Sequence, residues 1–239
     1  MNALWFALAA ALANLAGGYA VVRGARRSLE VIHLSLAFGA GFMLAVALLE
    51  VAPEAMARGT DAPVFILLGY LAVHLAQHVL APHFHFGEET HHLSPRQGLS
   101  ALVGLLLHTF FDGVAIASGF LVSGQLGVLL FLAVFLHKLP EGVAVTSVML
   151  AGGQGPRRAV AAAGLVGLAT VAGVVLTEVT TPLVEHGLAI SAGVTLYVAA
   201  SNLVPEFQAR RGFSMTAAFL GGAVVFFLTR LALETVGVP

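Results

Sequence analysis

The chain has no cysteine. Disulfides, thiolate metal ligands and thiol nucleophiles are excluded together, so a metal site here can use only His, Asp, Glu, Met or backbone oxygen. Charge is scarce too: Asp, Glu, Lys and Arg make up 10% of the 239 residues, against 59% hydrophobic ones, and the net charge is −1. An ordinary soluble domain carries about 25% charged residues. The balance of charge offers nothing to a nucleic acid. Lysine occurs once, at position 138. No Walker sequence is present, so ATP does not drive the protein directly.

In place of charge the sequence has long apolar runs divided by short polar stretches, the pattern of an all-α integral membrane protein in a lipid bilayer. We expect a single polytopic domain over 1–239 with eight transmembrane helices, at roughly 3–22, 32–53, 63–82, 98–122, 126–149, 158–181, 187–206 and 214–236. Met1 to Gly18 could pass for a signal peptide, with Ala-Leu-Ala at 11–13. No basic residue precedes the run, however, and it continues to Val22 before Arg23, so it reads as the first span. The 27 glycines suit close helix packing in lipid.

The basic residues set an orientation. Arg23, Arg26, Arg27, Arg96, Arg157, Arg158, Arg210 and Arg211 all fall in loops on one side of that eight-span arrangement. The opposite loops carry Arg58 alone, with Glu54, Asp61, Glu185 and Glu234 nearby. The positive-inside rule then places both termini outside and the arginine loops in the cytoplasm of a cell, here an inner membrane. One cytoplasmic loop, 83–96, is rich in histidine: His83, His85, His91 and His92, with Glu88 and Glu89. Loose metal binding and a plain solvated loop are both compatible with it.

Two segments repeat. Ala40 to Glu54, in span two, and Ala192 to Glu206, in span seven, share seven of fifteen positions without a gap, including the Pro-Glu ending. The two spans run in opposite directions. Inverted repeats with a midplane site are a recurring plan of secondary transporters.

The chemistry concentrates in spans four and five. His108-Thr-Phe-Phe-Asp112-Gly113 and His137-Lys-Leu-Pro-Glu141-Gly142 each place a histidine four residues before a carboxylate, with glycine next. Positions i and i+4 share a helix face. At ~1.5 Å rise per residue both histidines fall near mid-bilayer. Ionisable groups there are costly and mark functional sites. If the two helices pack together, two imidazoles and two carboxylates converge into a shell for a divalent metal such as zinc. Pro140 loosens its helix and frees a carbonyl near Leu136. Lys138, beside His137, is expected to pair with a carboxylate of the site, either as a fixed cation in place of a second metal or as a gate that moves when metal arrives. Met43 offers a thioether, though a lone methionine on an apolar helix usually packs. Glu50 and Glu54 could draw cations to an entrance, with Asn202 and Glu206 as inward counterparts. His74 and His78 in span three read as packing or hydrogen-bonding histidines. Glu178 and Arg230 read as interfacial.

At these residues the chain resembles the ZIP family of divalent-metal transporters, in its bacterial zinc-uptake branch. The resemblance covers nearly the whole chain, and its specific part is the pair of histidine–carboxylate runs. It implies a transport site formed by His108, Asp112 and Glu141 with His137, a pathway ligand at Met43, and alternating access in which spans one, four, five and six move against the others, often in a dimer. The implied cargo is zinc or a similar divalent metal, as substrate rather than cofactor. The chain departs from the family pattern at Thr109, Lys138 and Thr170, each of which removes a ligand for a second metal. The expectation is a one-metal site in which the Lys138 ammonium replaces the second cation.

The rival from another class is an intramembrane zinc-dependent hydrolase, in which the same groups would activate a bound water. The chain has no H-E-x-x-H, and the repeat favours transport over catalysis. The expectation is therefore not an enzyme.

Overall fold

The computed structural model describes residues 3–24, 29–80, 95–205 and 213–236. Among the described residues the chain is all helical: α1 (Ala3–Val22), α2 (Leu29–Val46), α3 (Ala52–Arg58), α4 (Ala62–Leu75), α5 (Pro95–Val122), α6 (Gly124–Ala151), α7 (Pro156–Val179), α8 (Thr181–Tyr197) and α9 (Phe213–Val236). Among the described residues six helices are long and apolar enough to cross a membrane by length and composition, with His33–Arg58 running through α2 and α3 as one of them; Ala62–His78 is a shorter apolar helix.

Among the described residues three widened π-helical turns interrupt the regular geometry, at Ala47–Val51, Ala76–Leu80 and Val198–Leu203. Each ends two residues before a proline, namely Pro53, Pro82 and Pro205. Proline has no N–H to give the preceding turn and its ring crowds the carbonyl four residues back, so the turn before it relaxes toward wider hydrogen bonding. Two of these turns fall at matching places in the repeated segments. A further boundary differs from expectation: α7 ends at Val179 and α8 starts at Thr181, so the link between spans six and seven is a single residue and Glu185 lies inside a helix. Pro182 explains this, because proline is well placed in the first turn of a helix. Between α5 and α6 the link is Ser123 alone, whose hydroxyl accepts from the Leu126 amide at 3.1 Å and caps α6.

Packing follows a twofold pattern. Helix α1 lies on α6 as α7 lies on α5, and α2 lies on α9 as α4 lies on α8. Glycines make these approaches backbone to backbone. A Cβ on Gly17 would overlap the Leu139 carbonyl, and one on Gly142 the Asn14 carbonyl; in the other half Gly173 meets Phe110 and Gly113 meets Thr170 in the same way. Likewise Gly41 meets Phe219 and Gly222 meets Phe38, matched by Gly193 on Ile66 and Gly69 on Ile190. The repeat seen in the sequence is therefore a repeat of contacts. Helices α5 and α6 cross at its centre, where the histidine–carboxylate runs lie.

Candidate metal centre

The four expected ligands meet. His108 and Asp112 on α5 and His137 and Glu141 on α6 each present one ligand atom, all within 4.8 Å of one another. Helical spacing aims each pair along one face, and the glycines after Asp112 and Glu141 let α7 and α1 close behind them. The four side chains are buried, between 2% and 4% exposed, and Lys138 beside them is 0% exposed. Around zinc at ordinary bond lengths, ligand atoms stand ~3.4 Å apart, so the group needs to contract by about an ångström to hold an ion.

The polar contacts are specific. Lys138 Nζ donates to Asp112 Oδ2 and to Glu141 Oε2, both at 2.6 Å. The Thr109 hydroxyl lies 3.0 Å from Glu141 Oε1 and 2.5 Å from the Leu105 carbonyl. His137 Nδ1–H donates to the Ala133 carbonyl at 2.9 Å. A carbonyl can only accept, so in the neutral ring Nε2 carries the lone pair. That nitrogen lies 3.4 Å from Asp112 Oδ2, and so does His108 Nε2. Two ring nitrogens and the Lys138 ammonium thus converge on one carboxylate oxygen. His108 Nδ1 is buried without a partner.

A pocket adjoins the centre on one side. A pocket lined by His108, His137 and Glu141 continues past Leu36, Leu105, Val198, Asn202 and Leu203. These residues lie in the N-terminal halves of α2 and α5 and in the turn after α8, toward the end where the arginine-bearing segments 23–28 and 206–212 attach. On the other side Val46, Val51, Val134 and Leu188 are buried.

Other candidates fall elsewhere. Met43 is wholly buried in the apolar cluster of α2, α8 and α9 and does not line the pocket. Glu50 and Glu54 lie at the closed end and are already paired, Glu50 with Arg230 at 3.2 Å and Glu54 with Arg58 at 2.8 Å; Arg230 also holds Glu234 at 3.1 Å. His78 Nδ1–H donates to the His74 carbonyl at 2.8 Å and the two rings lie 4.0 Å apart, in keeping with hydrogen-bonding histidines. His83, His85, His91, His92, Glu88, Glu89 and Glu206 lie outside the described residues. The sequence reading passed over Asn14, a fully buried amide on α1 whose side chain has no partner; a lone amide in an apolar helix was its signal. Thr170 is its counterpart on α7, equally buried with an unpartnered hydroxyl. Asn202 was legible only as the repeat partner of Glu50.

The family model described as ZIP Zinc transporter matches residues 87–229, a stretch that includes His108, Asp112, His137 and Glu141. The chain is 30% identical to the zinc transporter ZupT of Escherichia fergusonii, over 97% of this chain and 96% of that protein. It is 31% identical to zinc transporter ZupT of Shigella flexneri serotype 5b, over 82% of each chain. With a buried histidine–carboxylate group on two apolar helices and matches that run nearly end to end, the chain belongs to the ZIP zinc transporter family and is a multi-pass membrane protein.

Proposed function

We propose that the protein carries divalent transition-metal ions, zinc foremost, across the inner membrane into the cytoplasm by alternating access. In this reading it has eight spans, the two broken helices α4 and α8 with their π turns being the third and seventh, and both termini lie outside. The positions of the arginines support that orientation. The repeats are then inverted, with the metal group at their interface.

The observation that carries the proposal is the convergence of four buried ligand atoms from two consecutive apolar helices, with a pocket beside them toward the arginine-loop end. A site approached from one side is what one state of an alternating-access cycle requires. We assign ligation to His108, Asp112, His137 and Glu141, and to Lys138 the place of a second cation. With Asp112 and Glu141 ionised, Lys138 leaves the group at one net negative charge. An arriving divalent ion reverses it to one net positive charge. The ion must draw at least one carboxylate oxygen away from the ammonium. Repulsion between ion and ammonium, on the order of several kcal/mol at ~4 Å in a protein interior, weakens binding. That weakness suits a carrier, which must release what it binds. The hydrolase reading is set aside, because the family is one of transporters.

Zinc uptake into liposomes holding purified protein, beside Glu141→Ala, tests the proposal. Wild-type uptake that the variant loses is expected. Absence of uptake by the wild type, with zinc still bound, would overturn it.

A further inference from the structure

We propose that Glu50 and Asn202 are one pathway ligand in two copies, one at each mouth of the protein, and that their different chemistry makes the mouths unequal. The carboxylate captures a divalent cation on one side. The amide lets it go on the arginine-loop side. The inference rests on the transport reading and deepens it by naming what distinguishes the two directions.

Glu50 and Asn202 hold the same place in the repeated segments, each three residues before the shared proline. The correspondence is spatial as well: each lies in a π turn, and the helices carrying them are packed by matching glycine–carbonyl contacts. Asn202 lines the pocket beside His137 and Glu141. Apart from the metal group it is the polar side chain among the pocket's lining residues.

Applying the repeat to the rest of the lining gives the mouth that is now shut. Val198 and Leu203 correspond to Val46 and Val51, Leu36 to Leu188, and Leu105 to Val134. All four counterparts are buried. When the two halves exchange conformations, these residues part and Glu50 takes the position relative to the metal group that Asn202 holds here. The matched glycine contacts also align Arg230 with Gln77. One mouth therefore carries an ion pair, Glu50–Arg230, where the other carries two amides. An incoming cation competes with Arg230 for a full negative charge. At the matching position an outgoing one meets a neutral carbonyl oxygen, a weaker ligand. The gradient still fixes the direction of net flux; the ligands set the half-saturating concentration at each face.

The test is zinc flux in right-side-out and everted membrane vesicles from cells expressing the protein. Wild type should half-saturate at lower zinc when the ion is offered at the Glu50 mouth. Glu50→Asn should raise that concentration by about tenfold and leave the Asn202 mouth within about twofold. Asn202→Asp should lower the concentration at its own mouth by about tenfold and leave the other within about twofold. Half-saturation does not depend on how much of a variant reaches the membrane. Should Asn202→Asp fail to insert, Asn202→Ser should instead raise half-saturation at the arginine-loop mouth alone. Equal shifts at both faces, or none, overturn the proposal. Absence of wild-type flux in both vesicle types would overturn the transport reading instead.

Discussion

Lys138 Nζ and Glu141 Oε2 lie 2.6 Å apart within one turn of α6, and the same ammonium reaches across to Asp112 on α5 at the same distance. The cation is thus built into the chain at the point where two helices bring their carboxylates together. Without it, two buried carboxylates would face each other uncompensated, an arrangement that strongly disfavours ionising both.

Removing that tethered charge should change both stoichiometry and affinity. Lys138→Asp is expected to raise bound zinc from one ion per protomer to two, read by elemental analysis of purified protein. Lys138→Met should tighten zinc binding by tenfold or more, roughly the effect of ~1.4 kcal/mol of relieved repulsion, and slow turnover because release becomes harder. Unchanged metal content in Lys138→Asp would count against the ammonium as a stand-in for a second ion.

The backbone contact behind Glu141 makes a separate prediction. A side chain at Gly142 would overlap the Asn14 backbone, and one at Gly113 the Thr170 backbone. Gly142→Leu and Gly113→Leu should each destabilise the protein by about 1–3 kcal/mol or more, since overpacked interiors respond by shifting backbone. Thermal unfolding in detergent would report it. Gly155→Ser is the control: nothing lies within 4 Å of a Cβ at Gly155, which caps α7, so its stability should hold or rise slightly.

Acid should weaken zinc binding. Carboxylates and imidazoles bind metal only when deprotonated, so protons and zinc compete for His108, His137, Asp112 and Glu141. Lowering pH adds the competitor, which fixes the sign. Calorimetric titrations in two buffers of different ionisation heat should show protons released on binding, more at pH 6 than at pH 8. Binding that is indifferent to pH would mean the four groups do not ligate the ion.

The convergence of the two histidine–carboxylate pairs was readable because helical spacing alone fixes which residues share a face. Two histidine–carboxylate runs on adjacent spans left few other ways to satisfy their polar atoms, and the repeat and the pairing of Lys138 were visible on the same ground. What spacing does not give is how one helix is rotated against another far along the chain. Glu50 and Arg230 are separated by most of the sequence, so their pairing was hidden and Arg230 read as merely interfacial. The place of Asn202 in the pocket was hidden for a second reason. The π turn ahead of Pro205 changes the angle at which residues leave the helix, and a pattern drawn at 3.6 residues per turn does not follow it. Prolines placed two residues beyond each such turn were the available signal.

The glycine contacts have a mechanical consequence. Where backbone rests on backbone there is no side chain to repack, so α1, α5, α6 and α7 are clamped pairwise into one stiff plate, and α2, α4, α8 and α9 into another. Between the plates the glycines meet less backbone: a Cβ on Gly39 of α2 would stand 3.8 Å from the Leu136 carbonyl of α6, at ordinary contact, and one on Gly187 of α8 would press on the Ser118 and Val114 side chains of α5. Met43, Leu129, Ala133 and neighbouring aliphatic side chains fill that seam. Contacts of this kind have no preferred direction and exchange partners at little energetic penalty, as in a greased bearing. Friction in the stroke would then come from the bulk of those side chains, so widening or roughening the seam should set the speed of the protein without touching what it binds.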